Sequence, residues 1–153
     1  MPENETVTRA TLRTLTLDIE GRPSTTWRLD DPQVLADLKK TPFVLAEGAH
    51  YRLSYSFTVS GDIVSGLKYV SAVFRKGLKV SKDQQMLGSF GPQDKEHTVR
   101  LPRHGWEEAP SGRLSRGSYT AKSTFVDDNG TTLGELEYAF DITENWPATE
   151  STS

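Results

Sequence analysis

Cysteine is absent from all 153 residues. That excludes disulfides, thiolate nucleophiles and cysteine-based metal sites. A domain of this size is then held by its core alone, as intracellular proteins usually are. Long hydrophobic runs are also absent, and no stretch approaches the ~18 apolar residues that span a bilayer. Met1 to Thr11 is polar and lacks the apolar segment of a secretory signal. Asn4-Glu5-Thr6 and Asn129-Gly130-Thr131 fit the glycosylation pattern. They read as chance matches in a chain without a visible signal, and the expected location is the cytoplasm. An excess of basic charge is missing too. With 18 basic and 21 acidic side chains the net charge is −3, so no footprint for nucleic acid is present.

Signals of catalysis are equally scarce. The three histidines, His50, His97 and His104, have no partner at a metal-site spacing on a shared strand or helix. No glycine-rich phosphate loop precedes a helix, and no serine sits in a nucleophile elbow. Catalysis needs convergent groups with matched pKa values. The reading is therefore a non-enzyme, with neither metal nor cofactor.

What the sequence does contain is a period of two. Tyr51, Leu53, Tyr55, Phe57 and Val59 alternate with Arg52, Ser54, Ser56 and Thr58. Alternation of this kind predicts a strand with one buried and one wet face. It recurs at Leu15-Leu17-Ile19, at Tyr119-Ala121-Ser123-Phe125 and at Leu136-Tyr138-Phe140-Ile142. Leu67 to Val80 reads as a long central strand broken or bent at Gly77. Phe43 to Leu45 and Val99 to Leu101 mark shorter strands.

Turn residues separate these runs at Glu20-Gly21-Arg22-Pro23, Glu47-Gly48, Ser60-Gly61-Asp62 and Gly91-Pro92. Asp127-Asp128-Asn129-Gly130 predicts a hairpin, because both Asn and Gly tolerate positive φ. One helix is predicted at Asp31 to Leu38, with Asp31 as cap, Pro32 in the first turn, and Leu35 and Leu38 on one face. About eight strands and one short helix predict an all-β sandwich or barrel over residues 12–146. Residues 1–11 and 147–153 read as flexible ends.

Three charged features have two readings each. Arg75-Lys76-Gly77-Leu78-Lys79-Val80-Ser81-Lys82 is either a solvated strand edge or a positive patch facing anionic lipid or an acidic protein. Glu107-Glu108 and Asp127-Asp128 are either solvated loop pairs or receivers of a basic partner tail. The aromatic side chains at strand spacing fit a filled core. Periodicity alone does not separate a filled core from a slot between sheets.

Longer segments carry more information. Ile63-Val64-Ser65-Gly66-Leu67-Lys68-Tyr69-Val70, then Phe74-Arg75-Lys76-Gly77-Leu78-Lys79-Val80, then Gly88-Ser89-Phe90-Gly91-Pro92 occur in order. Glu107-Glu108-Ala109-Pro110-Ser111-Gly112-Arg113-Leu114-Ser115-Arg116-Gly117-Ser118-Tyr119 follows. Together they resemble the Rho GDP-dissociation inhibitors from about Leu15 to Trp146. The resemblance implies an immunoglobulin-like β-sandwich that admits the geranylgeranyl or farnesyl group of a Rho-family GTPase between its sheets. Such a protein solubilises its partner, extracts it from membranes and meets the membrane surface transiently.

Carried over by position, the implied lipid-binding residues are Leu17, Phe43, Tyr51, Ile63 and Tyr138. Phe43 is placed by Phe43-Val44-Leu45 and Glu47-Gly48, which align without a gap. Glu107 and Glu108 fall on the pair that receives the basic tail of the GTPase. Lys76, Lys79 and Lys82 fall on lysines implicated in membrane or partner contact. Three departures stand out. Leu136 and Tyr138 replace two tryptophans of the animal proteins. About three extra residues, around Arg103-His104-Gly105-Trp106, precede Glu107, and Trp106 either covers the pocket mouth or plugs a loop. The family's helical regulatory arm has no counterpart in the dozen residues before Leu15, so lipid shielding is expected to survive and nucleotide inhibition to weaken. Two other functions compete: a broader carrier of lipidated proteins, and a closed-core interaction sandwich.

Overall fold

The computed structural model describes residues 9–147, so most of the flexible ends expected at 1–11 and 147–153 lies outside the described residues. The chain runs β1 (Arg9–Ile19), β2 (Arg22–Arg28), α1 (Pro32–Lys40), β3 (Phe43–Ala46), β4 (His50–Ser60), β5 (Val64–Arg75), β6 (Leu78–Phe90), β7 (His97–Leu101), β8 (Glu107–Glu108), β9 (Gly117–Val126) and β10 (Thr132–Thr143). A 3-10 turn, Arg113–Ser115, precedes β9. Pairing begins at Arg9, which lies opposite Ser60, three residues ahead of the expected start of the domain.

Two sheets form an immunoglobulin-like sandwich. The first has the order β2-β1-β4-β7, with β8 also on β4; the second has the order β3-β10-β9-β5-β6. Every pairing is antiparallel except β3 with β10. That exception follows from the connection. α1 carries the chain from the edge of the first sheet to the edge of the second, and β3 enters alongside β10 in the same direction. The helix forms where its cap predicts: the Asp31 carboxylate accepts the Gln33 N–H at 2.9 Å, and Leu38 is buried.

Two expectations change. Leu67 to Val80 is not one bent strand. The chain reverses at Lys76 (φ 54°) and Gly77 (φ 81°), and Leu78 returns opposite Arg75. Two consecutive residues at positive φ match the twist of a tight hairpin. The returning strand β6 is largely exposed, so it carries no clean alternation to detect. β2 was invisible for the same reason: in it only Trp27 is even half-buried. With these two elements and the two-residue β8, the described residues hold ten strands where about eight were expected. The Asp127 to Thr131 hairpin is present, but only Gly130 takes positive φ (83°). Instead the Asp127 carboxylate accepts the N–H groups of Asn129 and Thr131 at 2.9 Å each.

Inward parity works as the alternation predicts, yet the interior differs along its length. Toward the β4–β5 turn, Tyr55, Phe57, Val64, Leu67 and Phe125 are all buried to within 2%. Phe125 meets Tyr55 edge-on at 5.0 Å and Phe90 meets Phe57 at 5.2 Å. The void between Phe57, Leu67 and Phe125 is about 10 Å³, at the threshold for a single water, while a separate surface cleft of about 320 Å³ lies beside Phe90 between β6 and β7. Toward the β5–β6 hairpin the sheets part.

Candidate functional site

The parted end holds a slit of about 440 Å³ between the sheets. From the first sheet its wall takes Tyr51 and Leu53 of β4, with Leu101 and Pro102 at the end of β7. The second sheet contributes Tyr69, Ser71 and Val73 of β5, Tyr138 and Phe140 of β10, and Phe43 and Leu45 of β3. The edge strand β6 lays Ser81, Asp83 and Gln85 along the rim, each opposite an inward residue of β5. A second lobe of about 330 Å³ shares Leu45, Tyr51, Val73, Ser81, Glu107 and Phe140 with the first. It continues past Arg75, Val80, Glu108, Pro110, Tyr119 and Ile142. The two lobes are one apolar-walled slit with a polar rim, of the size that ligand sites occupy.

Aromatic rings build one wall as a continuous series. The Arg75 guanidinium lies 5.0 Å over Tyr119; Tyr119 stacks on Phe140 at 5.2 Å; Phe140 reaches Phe43 at 5.8 Å; and Phe43 meets Trp27 at 5.6 Å. Tyr138 adds a ring 5.6 Å from Phe43. Trp27 and Phe43 belong to β2 and β3, so the series also joins the two sheets on the side away from β6. The opening is thereby confined to the β6–β7 side and the hairpin end.

Behind the wall sits a buried polar cluster. Tyr55 donates to the Ser123 hydroxyl at 3.4 Å, and Tyr69 and Ser123 share a hydrogen bond at 2.9 Å. Burial pushes the Tyr55 and Tyr138 hydroxyls well above the usual tyrosine range. Burial, with Glu107 adding its field, pushes Tyr51 up to about 12. These phenols therefore stay neutral at physiological pH, and the charges of the slit are those of Arg75, Lys82, Asp83, Glu107 and Glu108 on its lining.

The mouth is held by two charged residues acting on a loop backbone. Glu47 accepts the Gly112 N–H at 2.6 Å and pairs with Arg116 at 2.8 Å. The Gly112 amide first, and Arg116 after it, hold the Glu47 carboxyl below the usual carboxylate range. Arg75 donates to the Leu114 carbonyl at 2.5 Å, to Tyr119 Oη at 3.2 Å and to the Arg116 carbonyl. Gly117 (φ 134°) is needed here, because a Cβ would stand 2.9 Å from the Arg75 guanidinium.

Of the five expected lipid-binding residues, Phe43, Tyr51 and Tyr138 meet on the wall. Leu17 and Ile63 do not. Leu17 is buried on β1 opposite Leu53, one strand behind the wall. Ile63 lies just before β5, at the filled end, and is 48% exposed. Glu107 stands on the rim of both lobes and Glu108 on the second, because β8 pairs with Tyr51 and His50. Lys76 occupies the hairpin turn; Lys79 pairs with Phe74 toward the outer face, whereas Lys82, opposite Ala72, also lines the first lobe. Trp106 is not among the residues lining the slit; Arg52, on the outward parity of β4, stacks 4.5 Å over its ring and so ties the loop before β8 to β4. Phe140, Tyr119, Leu45, Leu53, Tyr69, Val73 and Leu101 were not singled out. Their inward parity marked most of them as interior, but a lining residue and a core residue share that parity.

A family model described as RHO protein GDP dissociation inhibitor matches residues 2–145. A Dictyostelium discoideum protein provisionally named rho GDP-dissociation inhibitor 1 is 50% identical over 135 residues, 88% of this chain and 68% of that one. The Homo sapiens Rho GDP-dissociation inhibitor 1 is 45% identical over 112 residues, 73% of this chain and 53% of that one. The Schizosaccharomyces pombe Rho GDP-dissociation inhibitor is 33% identical over 145 residues, 95% of this chain and 69% of that one. The chain thus spans about half the length of the mammalian relatives it matches. Among solved structures, a Niemann-Pick type C2 protein from the Japanese carpenter ant superposes with a TM-score of 0.52 at 10% identity, over 87% of this chain and 93% of that one. The CARDB domain of a Pyrococcus furiosus protein gives 0.50 at 13% identity, over 92% and 99%. Those two likenesses concern the fold. No helix among the described residues is long and apolar enough to cross a membrane. The near-complete match to the family model and the identity to its named members establish that this chain belongs to the Rho GDP-dissociation inhibitor family.

Proposed function

We propose that the chain binds the prenyl group of a Rho-family GTPase in the slit, keeps the modified protein in solution in the cytoplasm and withdraws it from membranes. The observation that carries this reading is the slit itself, walled by aromatic and aliphatic side chains with Glu107 and Glu108 on its rim. Each methylene removed from water contributes roughly 0.8 kcal/mol, so a C20 isoprenoid offers on the order of 10 kcal/mol. A single lipid chain holds a protein on a bilayer only marginally, so a carrier with this gain competes. Phe43, Tyr51 and Tyr138 contact the isoprenoid, joined by Phe140, Val73 and Leu101. Glu107 and Glu108 receive basic residues ahead of the lipid, and Lys76, Lys79 and Lys82 face the membrane or partner. The role is binding rather than catalysis.

A fluorescence titration with a geranylgeranylated basic peptide tests this. Tight binding of that peptide and none of the unmodified one is the expected result. Equal affinity for both would favour a protein-only interaction sandwich. Hydroxyls on the wall at Tyr69, Ser71 and Tyr138 favour a second reading, a carrier of wider lipid range. Competition among farnesyl, geranylgeranyl and myristoyl peptides separates the two.

A further inference from the structure

Of the six large hydrophobic side chains exposed among the described residues, three gather at the mouth of the second lobe. Leu78 is 72% exposed, Val80 53% and Leu114 88%. They come from two separate elements, the β5–β6 hairpin and the 3-10 turn before β9. One residue joins those elements. Arg75 is the register partner of Leu78, and its guanidinium holds the Leu114 carbonyl at 2.5 Å. Val80 extends the patch inward, since it lines the lobe. The mouth therefore carries an aliphatic lip continuous with the slit.

Cations flank this lip. Lys76, Lys79 and Arg113 are exposed, and none forms an ion pair among the described residues. Glu107 and Glu108 stand on the opposite rim, where β8 pairs with β4. Exposed leucines ringed by unpaired lysines and arginine match the boundary between lipid headgroups and acyl chains. The aliphatic tips enter the apolar layer while the cations meet anionic phosphates.

We infer that Leu78, Val80 and Leu114 form a membrane-inserting lip that seats the mouth of the slit on an anionic lipid leaflet, so that the lipid group passes from bilayer to protein without crossing water. This rests on the proposed prenyl-binding function but assigns a role to side chains which that function does not use. Lysines alone would hold the chain above the headgroups and leave the isoprenoid a wet gap to cross, whereas an inserted lip removes the gap.

The paired substitution Leu78→Ser with Leu114→Ser tests the inference, since both side chains are exposed and the fold does not depend on them. Co-sedimentation of the full chain with mixed phosphatidylcholine–phosphatidylserine vesicles is expected to weaken about tenfold or more. Affinity for a geranylgeranylated peptide in vesicle-free solution is expected to stay unchanged. Because the chain lacks cysteine, Leu114→Cys can carry a single environment-sensitive fluorophore. On those vesicles its emission should shift to the blue and be quenched by acyl-chain quenchers. Vesicle binding that ignores the serine pair, or a label still quenched from the water phase, would overturn the lip. So would loss of affinity for an unlipidated GTPase in solution, which would make this a protein contact. If the parent chain fails to bind the prenylated peptide at all, the prenyl-binding reading falls, while the vesicle results still judge the lip.

Discussion

The two ends of this sandwich are built from the same strands and differ in how they close. Near the β4–β5 turn, Phe57, Leu67 and Phe125 interlock and leave about 10 Å³. Near the β5–β6 hairpin, rings of the same kind line lobes of about 440 and 330 Å³. The difference lies in what meets across the gap. At the filled end the end of β6 delivers Phe90 onto Phe57 and His97. At the other end the start of β6 delivers Ser81, Asp83 and Gln85, which stay wet. Along β6, then, Phe90 packs a ring onto the core at one end, while Ser81, Asp83 and Gln85 give the slit a polar rim at the other.

The contrast can be broken at single residues. Phe57→Ala removes a ring from the filled end and should cost about 3–5 kcal/mol, read as a lower denaturation midpoint. Tyr51 belongs to the open end and responds to pH. Between pH 10 and about 12 the unfolded chain gives up this proton while the folded chain keeps it. Stability is therefore complete below pH 10 and falls by about 2 kcal/mol as pH rises through that window. Tyr55 and Tyr138, also pushed up by burial, add to this alkaline fall, so Tyr51→Phe should make the loss shallower in an alkaline unfolding series without abolishing it.

Phe43→Ala tests the open end directly. Phe43 is only half-buried, so the stability loss should be about 1–2 kcal/mol, well under that of Phe57→Ala. Prenylated-peptide affinity should fall together with it. A smaller effect is expected from Glu107→Gln with Glu108→Gln. Association with a basic prenylated peptide should slow by about threefold to tenfold at low salt, and the difference should fade as salt is added. Smallest of all is Ile63→Asp. Ile63 is half exposed at the filled end, so lipid binding should be unchanged within error.

Much of the fold was legible because it rests on side-chain parity. β9 alternates cleanly, and β4 and β10 do so apart from the buried Ser56 and Ala139, since each strand has one face inside and one outside. β2 and β6 escaped because they are edge strands with little buried area to imprint a pattern. For the site, the resemblance reached Phe43, Tyr51, Tyr138 and the Glu107-Glu108 pair, whose positions follow local segments. It also named Leu17 and Ile63, which lie off the lining of the slit. Whether Phe140 lines a slit or fills a core depends on what lies opposite it on β6 and β7. That is a relation between distant segments, and periodicity within one strand does not contain it.

The central claim is that the sheets admit an isoprenoid only at the hairpin end. Methyl-resolved NMR during titration with a geranylgeranylated peptide tests it directly. The account predicts shifts at Leu45, Leu53, Val73 and Leu101, with Val64 and Leu67 unmoved. Shifts at Val64 and Leu67, or none at the first four, would contradict it.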